Sequence, residues 1–302
     1  DNAPLDDAAT RTIAQFPRIR YVKEPRPGLN WARNRAVQEA LGSIVAFTDD
    51  DVALDSQWLK ALVPHFANRA VMCVTGLVAP AERETAAQSL FEDYGGFGRG
   101  FVTRYHTMAT QNVWRYWPLG AGVLGTGCNM AYRKSLFALI GGFDPALDAG
   151  TPARGAGDHD MFYRTLRAGY LLVYEPAALI WHYHRSTYKE LRSQLHNFGR
   201  GVYAFWTKTF FTDAPMRWRT ATFAVLWFGD WFGKRLLQRA LNVPRDLVLA
   251  EAIGALYGFP AYWQSLRQAR RVARKFAQQQ AAAAKPRVTH SRALTLFEVE
   301  PA

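Results

Sequence analysis

The sequence predicts an α/β sandwich on a largely parallel sheet, followed by a basic, aromatic-rich helical region. Three observations predict it. Over the first half, short apolar β-branched runs alternate with segments of helical apolar spacing. From Thr187 onward that alternation gives way to helical, basic and aromatic sequence. Hydrophobic residues make up 49% of the 302 residues, enough for a proper core and against global disorder.

In chain order, Arg18–Lys23 reads as a short strand and Asn30–Leu41 as a helix ended by Gly42. Ser43–Thr48 is a buried strand that runs into three aspartates. Ser56–Asn68 has helical spacing with Ser56 as its cap, and Val71–Val78 is a further apolar strand. Tyr94–Leu124 is rich in Gly and aromatics without a clear period, and reads as a mobile loop or part of an acceptor cleft. Asn129–Arg133 is a strand, and a helix starts at Ser135. Asp158–Ala168 is a helix closed by Gly169. Leu171–Glu175 and Ala178–His182 are two short strands. The stretch from about Gln278 is low in complexity and is expected to fray.

Charge divides the chain. The net charge is +12, and residues 1–184 hold equal numbers of acidic and basic side chains, so the whole excess lies in residues 185–302. Such a tail suits an anionic surface. Trp and Tyr lie there beside Arg and Lys, as at a membrane interface. Trp218–Phe232 and Leu247–Trp263 are apolar, but Asp230 and Glu251 break them before a span is reached. An ordinary helical cap on the first region is the alternative. The two cysteines, Cys73 and Cys128, form no C-x-x-C and point to a reducing compartment. No signal peptide opens the sequence, and the missing initiator Met leads us to expect that the start of the natural protein is absent.

Three motifs carry chemistry. Phe47-Thr48-Asp49-Asp50-Asp51-Val52 puts hard oxygen ligands at the end of an apolar strand, where open α/β folds bind ligands and where Mg²⁺ or Mn²⁺ can bridge a diphosphate. Gly157-Asp158-His159-Asp160 puts carboxylates at a helix start after the Gly-rich Ala149–Gly157, as a general base requires; helix capping would use the same residue type. Trp181-His182-Tyr183-His184-Arg185 puts two histidines on one strand face, within reach of a metal or phosphate or in a structural role.

In this order the motifs resemble the family 2 glycosyltransferases, which have the GT-A fold. The likeness is carried by Asp1-Asn2-Ala3-Pro4, Pro27–Asn34, Ile44–Val52, Gly127–Arg133, Gly141-Gly142-Phe143-Asp144, Asp158–Arg164, Arg167–Tyr170, Tyr174-Glu175-Pro176 and Trp181–Arg185, and covers residues 1 to about 200. It implies an inverting transfer of sugar from a nucleotide-sugar donor to an acceptor hydroxyl, a saccharide or lipid-linked one, in polysaccharide or glycolipid synthesis. It implies that Asp49 and Asp51 hold the metal, with His182 as a further ligand. Asp1, Arg33, Asn34, Asp49 and Asp50 lie toward the nucleotide sugar. Gly127, Asn129 and His184 lie on the acceptor side. Asp158 corresponds to the base, with Asp160 as the alternative because Gly157-Asp158 stands where the family often has Glu-Asp. The family's first strand, with its nucleotide-cradling loop, is absent before Asp1. The expected organisation is thus an N-terminally incomplete catalytic domain, 1–184, and a helical region, 185–302, that docks at the inner face of the cell membrane.

Two other classes were weighed. An aspartyl-phosphate phosphatase wants Thr or Val where Ala53 stands and a later paired-acid motif that does not follow. A non-catalytic membrane or nucleic-acid binder would use the basic tail, but aromatics spaced with Leu, Val and Ala suit packing or a bilayer better than base stacking, so no nucleic-acid partner is expected.

Overall fold

The computed structural model describes residues 1–109, 116–237 and 243–284. Its strands are β1 (Ile44–Phe47), β2 (Val52–Leu54), β3 (Val71–Pro80), β4 (Arg104–His106), β5 (Met130–Arg133) and β6 (Leu171–His182). They form one sheet in the order β1-β5-β3-β6-β2, with β4 also paired to β6. The helices are α1 (Ala8–Ile13), α2 (Leu29–Glu39), α3 (Trp58–Leu62), α4 (Ala86–Tyr94), α5 (Leu136–Ile140), α6 (Gly157–Arg167), α7 (Tyr188–Thr212), α8 (Arg217–Trp227), α9 (Gly233–Leu237) and α10 (Arg245–Ala284).

The α/β class with a helical C-terminal region is what the sequence predicts. The direction of the sheet is not. Among the described strands only β3 and β6 pair in parallel, and β1–β5, β3–β5, β2–β6 and β4–β6 are antiparallel. The reason lies in β3. It is central and covered on both faces, so it reads as a continuous apolar run, and such a run looks the same whichever way its neighbours point.

One face of the sheet packs Val37, Phe47, Phe143, Met161 and Phe162 under α2, α5 and α6. The other packs Trp58, Leu62, Phe66, Val74 and Ile180 under α3. The C-terminal helices share a third cluster with α4: Phe91 and Tyr94 meet Leu195, Phe205, Trp206, Phe223 and Leu247. α7 opens on a capping box in which Thr187 and Glu190 satisfy each other's backbone amides. α7 and α10 run backbone against backbone. A Cβ on Gly199 would collide with the Glu251 carbonyl, and one on Gly254 with the His196 carbonyl. The inner faces of α7, α8 and the first part of α10 are therefore packed into clusters shared with the first region, whereas the end of α10 is mostly exposed.

Several expectations shift. Arg18–Lys23 forms no strand, and Glu24 makes only an isolated bridge to Asn2. Ser56–Asn68 is a short helix from Trp58 that tightens into a 3₁₀ turn over Val63–Ala67, where Pro64 falls, and Ser56 does not cap it. The two short strands at the end of the first region are one, β6, with a register slip opposite Gly76 and Val78. α1, β2 and β4 lack a sequence signal strong enough to find them, whereas α4 follows the capping-box pattern Thr85-Ala86-Ala87-Gln88. Residues 285–302, most of the stretch expected to fray, lie outside the described residues, as do 110–115 of the Tyr94–Leu124 segment.

Candidate active site

The short strand β2 builds the site. It begins immediately after Asp51 and pairs antiparallel with the end of β6, so Val52 lies opposite His182. The Tyr183 amide donates to the Asp51 carbonyl at 3.0 Å. This register puts His182 Nε2 3.4 Å from Asp51 Oδ1 without a hydrogen bond between them. Asp51 Oδ1 and His182 Nδ1 are both buried without partners. Arg185 Nη2 stands 3.7 Å from Asp51 Oδ2.

Asp49 follows β1 on the same sheet edge. Burial pushes its carboxyl up to about 6; Arg33 counteracts this, and the negative charges of Asp51, Asp148 and Asp158 add to the rise. Arg33, from α2, is 6% exposed and donates from Nη1 to Asp148 Oδ2 at 2.6 Å. Gly127 lies between Arg33 and Asp158: a Cβ there would stand 2.8 Å from Arg33 Nη2 and 3.3 Å from Asp158 Oδ2. Three carboxylates, Asp148, Asp158 and Asp49, thus surround one buried guanidinium.

Asp158 lies in the first turn of α6. It does not cap that helix, whose N-cap is Ala156 in the left-handed region with no side-chain hydrogen bond. Its Oδ1 accepts only from the His159 amide, at 2.9 Å. Asp160 is the opposite case. It is 1% exposed, and its oxygens receive Arg164 Nε at 2.8 Å and Lys208 Nζ at 2.7 Å. Burial would raise its pKa, but Lys208 and Arg164 outweigh that and hold it below the ordinary range. Asp160 braces α6 against α7, which corrects its placement as an alternative base.

Other expected site residues are engaged elsewhere. Asn129 is fully buried; it accepts from Trp58 Nε1 and donates to the Leu77 and Ala178 carbonyls, which ties β3 to β6 and removes it from an acceptor surface. His184 shares a face with His182, ring centroids 5.2 Å apart, but it is buried beside Phe91 and Phe97 with Nε2 2.8 Å from Glu92. Asn34 uses its whole amide on the Phe143 backbone and so holds the Gly141–Asp144 turn rather than a ligand. Asp1 receives the Tyr21 hydroxyl. Asp50 is exposed in the β1–β2 turn and forms no ion pair with a described residue.

Two residues, Asp148 and Arg99, escaped the sequence reading, and a third, Arg185, carried no role there beyond closing the histidine motif. Asp148 fixes Arg33 and, with Arg154 and Ala156, adopts positive φ in the loop before α6, a strain that accompanies functional loops. Arg99 donates to the Gly96, Gly98 and Gly122 carbonyls; burial lowers its pKa, against the charges of Tyr174, Asp158 and Glu92. Arg185 approaches Asp51. The Gly-rich surroundings of Asp148 and Arg99 were the available signal.

A divalent cation fits this edge on the chemistry of its donors. An unbonded carboxylate oxygen faces an imidazole nitrogen, and the neighbouring carboxylates are in excess. Among the described residues no three His, Cys, Asp or Glu side chains gather at one point. Mg²⁺ and Mn²⁺ can take as few as one or two carboxylates and complete their shell with water and substrate phosphates.

Residues 2–140 match the model of glycosyl transferase family 2. The pre-mycofactocin glycosyltransferase of Mycobacterium tuberculosis is 30% identical over 164 residues, which are 53% of this chain and 31% of that protein. The glucosyl-dolichyl phosphate glucuronosyltransferase of Haloferax volcanii is 22% identical over 131 residues, 42% of this chain and 37% of that protein. The chain thus spans about a third of the length of these relatives. A solved mannosyltransferase of Pyrobaculum calidifontis, in complex with GDP-Man and Mn²⁺, aligns with a TM-score of 0.42 at 16% identity, covering 92% of this chain and 67% of that one.

Proposed function

We propose that the protein is a metal-dependent inverting glycosyltransferase that moves a sugar from a nucleotide-sugar donor to an acceptor hydroxyl. The observation that carries this reading is the contrast at one sheet edge: Asp51 and His182 face each other unbonded, and Asp158 stands across Gly127 with a carboxylate that caps nothing. The match of residues 2–140 to the family 2 model supports it.

Asp51 and His182 would hold the cation, and Asp49 lies beside them as the other acid of the motif. When bound, Mg²⁺ or Mn²⁺ would supply positive charge against the diphosphate leaving group. Arg33, pinned by Asp148, offsets the negative charge around Asp49 and Asp158. Asp158 accepts the proton of the acceptor hydroxyl as its oxygen attacks the anomeric carbon. The glycosidic bond forms as the bond to the diphosphate breaks on the opposite face, so the anomeric centre inverts. The test is a panel of nucleotide sugars with Mg²⁺ or Mn²⁺, reading nucleotide release. Metal-dependent release with at least one donor is expected; release with none, or undiminished release in EDTA, contradicts the reading.

The acceptor we favour is a saccharide or a lipid-linked saccharide, with the enzyme peripheral at the cytoplasmic face of a membrane. No described helix is long and apolar enough to cross one. What supports a surface location is the outer face of the helical region. Leu249, Ile253, Leu256, Tyr257 and Trp263 form an exposed stripe along α10, and Trp218, 74% exposed, continues through Phe210 and Phe211 to Trp263 by ring contacts. Exposed Arg267, Arg270, Arg271, Arg274 and Lys275 follow on α10. Each cation at an anionic surface contributes about 1 kcal/mol. Because this region shares the core, deleting it would unfold the protein. Trp218→Ser in the full chain is the cleaner probe, and loss of sedimentation with anionic vesicles is expected. Unchanged sedimentation, or none by the wild type at low salt, leaves these helices as a cap.

A further inference from the structure

The loop that leads into Asp158 is held from outside by the C-terminal helix. Residues 148–156 carry three side chains in the left-handed region, Asp148 at φ +76°, Arg154 at +67° and Ala156 at +67°. That conformation is disfavoured for any residue with a Cβ, so a loop that keeps it must be fixed by its surroundings. Part of the fixing is internal. The Asp148 amide donates to the Gly155 carbonyl at 3.0 Å, and the Thr151 hydroxyl to the Asp148 carbonyl at 2.7 Å. The rest comes from α7 and α10. A Cβ on Gly201 of α7 would stand 2.7 Å from the Gly155 Cα, so the two backbones touch. Ser265 on α10 is fully buried, and its hydroxyl oxygen accepts from the Ala153 amide at 2.8 Å. One turn further along, Gln268 Nε2 donates to the Gly150 carbonyl at 3.1 Å. Ala146, Leu147 and Ala153 pack with Tyr262, Leu266 and Ala269 around these bonds.

α10 also reaches the other side of the loop. Phe276 lies 4.6 Å from the Arg26 guanidinium, which in turn lies 4.2 Å from the Trp31 ring in the first turn of α2. α2 carries Arg33, and its first amide, that of Leu29, donates to the Ala149 carbonyl at 3.0 Å. α10 is thus tied to both elements that form the Arg33–Asp148 ion pair. That pair bears on the base. A Cβ on Gly157 would stand 2.4 Å from Asp148 Oδ2, so this carboxylate rests against the residue before Asp158. Tyr262, Ser265, Gln268 and Phe276 recur at helical spacing on one side of α10. Trp263, Arg267, Arg270, Arg271 and Arg274 are exposed on the opposite side. The side that holds the loop is therefore distinct from the side turned to solvent.

We propose that Ser265 and Gln268 are positioning residues for the transfer: they fix the 148–156 loop and, through Asp148 and Gly157, the carboxylate of Asp158. The positioning role rests on the glycosyl-transfer reading with Asp158 as the base; the clasp on the loop does not. The test uses Ser265→Ala and Gln268→Met in the full chain, with three readouts below the unfolding midpoint. Amide hydrogen exchange over 148–157 should quicken in both variants, including at the Asp148 amide, whose hydrogen bond neither substitution touches. Nucleotide release from a panel of UDP- and GDP-sugars with Mn²⁺, counted per folded molecule, should slow about tenfold in each variant and about 10²-fold in the double variant, the scale of a misplacement of about 1 Å. Mn²⁺ affinity, set at the Asp51–His182 edge, should stay at the wild-type value, which separates mispositioning from general loosening of the site. Gln268 is half-exposed, so its variant keeps the test valid if Ser265→Ala fails to fold. Unchanged exchange over the loop overturns the clasp. A loosened loop with wild-type turnover, or Mn²⁺ affinity that falls as far as turnover does, overturns the positioning role. A wild type that releases no nucleotide from any donor overturns the glycosyl-transfer reading, and the positioning role with it, whatever the exchange shows.

Discussion

Asp158 and Asp160 are two residues apart on one helix and live in opposite electrostatic worlds. Asp160 is buried and fully paired, with Arg164 on its own helix and Lys208 across on α7. Asp158 lies in an excess of carboxylate, around Arg33, and spends one oxygen on its own neighbour's amide. Satisfied charge holds the helix in place, and unsatisfied charge is left for a ligand. Residue type does not distinguish the two roles; the partners do.

The paired side breaks most visibly in stability. Lys208→Met strands Asp160 with Arg164 alone and also frees Asp144, whose Oδ2 lies 2.9 Å from Lys208 Nζ. A loss of about 3 kcal/mol is expected, because removing one partner leaves a buried charge uncompensated. Urea unfolding measures it; a loss below ~1 kcal/mol would mean that α7 is not anchored through this pair.

On the unpaired side, Asp51→Asn and His182→Ala should each weaken Mn²⁺ binding in the presence of nucleotide by more than the roughly tenfold typical of an outer-shell partner. Electron paramagnetic resonance of free Mn²⁺ reads this directly. Wild-type affinity in both variants would return the pair to a structural role.

A smaller effect of opposite sign is expected at Asp49. Its folded-state pKa, about 6, is raised above the ordinary 3.8. A raised carboxyl contributes stability that is fully present below about 4 and lost as the pH rises through about 6. In the metal-free protein, Asp49→Asn should therefore raise the unfolding midpoint at pH 7 and leave it nearly unchanged at pH 4. A variant destabilised at pH 7 would show that Asp49 is structurally paired, against its place in the unsatisfied set.

Much of the fold was legible because apolar runs report burial. β1, β3, β5, α2 and α6 follow from them. Their directions did not follow, since burial on both faces hides strand polarity. β2 was invisible because Val52–Leu54 is three residues long and half exposed, yet its pairing with β6 is what joins Asp51 to His182. The motif residues were legible as types, and their division of labour was not. Asn129 and His184 look available in sequence, but their hydrogen bonds are made across β3, β6 and α4. Lys208 decides the state of Asp160 from 48 residues away in the chain, and no local pattern announces it.

The central claim is the difference between the two aspartates of α6, and it is tested by measuring turnover and unfolding together for Asp158→Asn and Asp160→Asn with an active nucleotide sugar, its acceptor and saturating metal. For Asp158→Asn, kcat should fall by about 10²–10⁴, the usual cost of a lost acid–base group, while the unfolding midpoint and donor affinity stay near those of the wild type. For Asp160→Asn, the unfolding midpoint should fall, and the folded fraction should turn over at close to the wild-type rate. A stable Asp160→Asn without turnover, beside an active Asp158→Asn, would exchange the two roles and contradict the account.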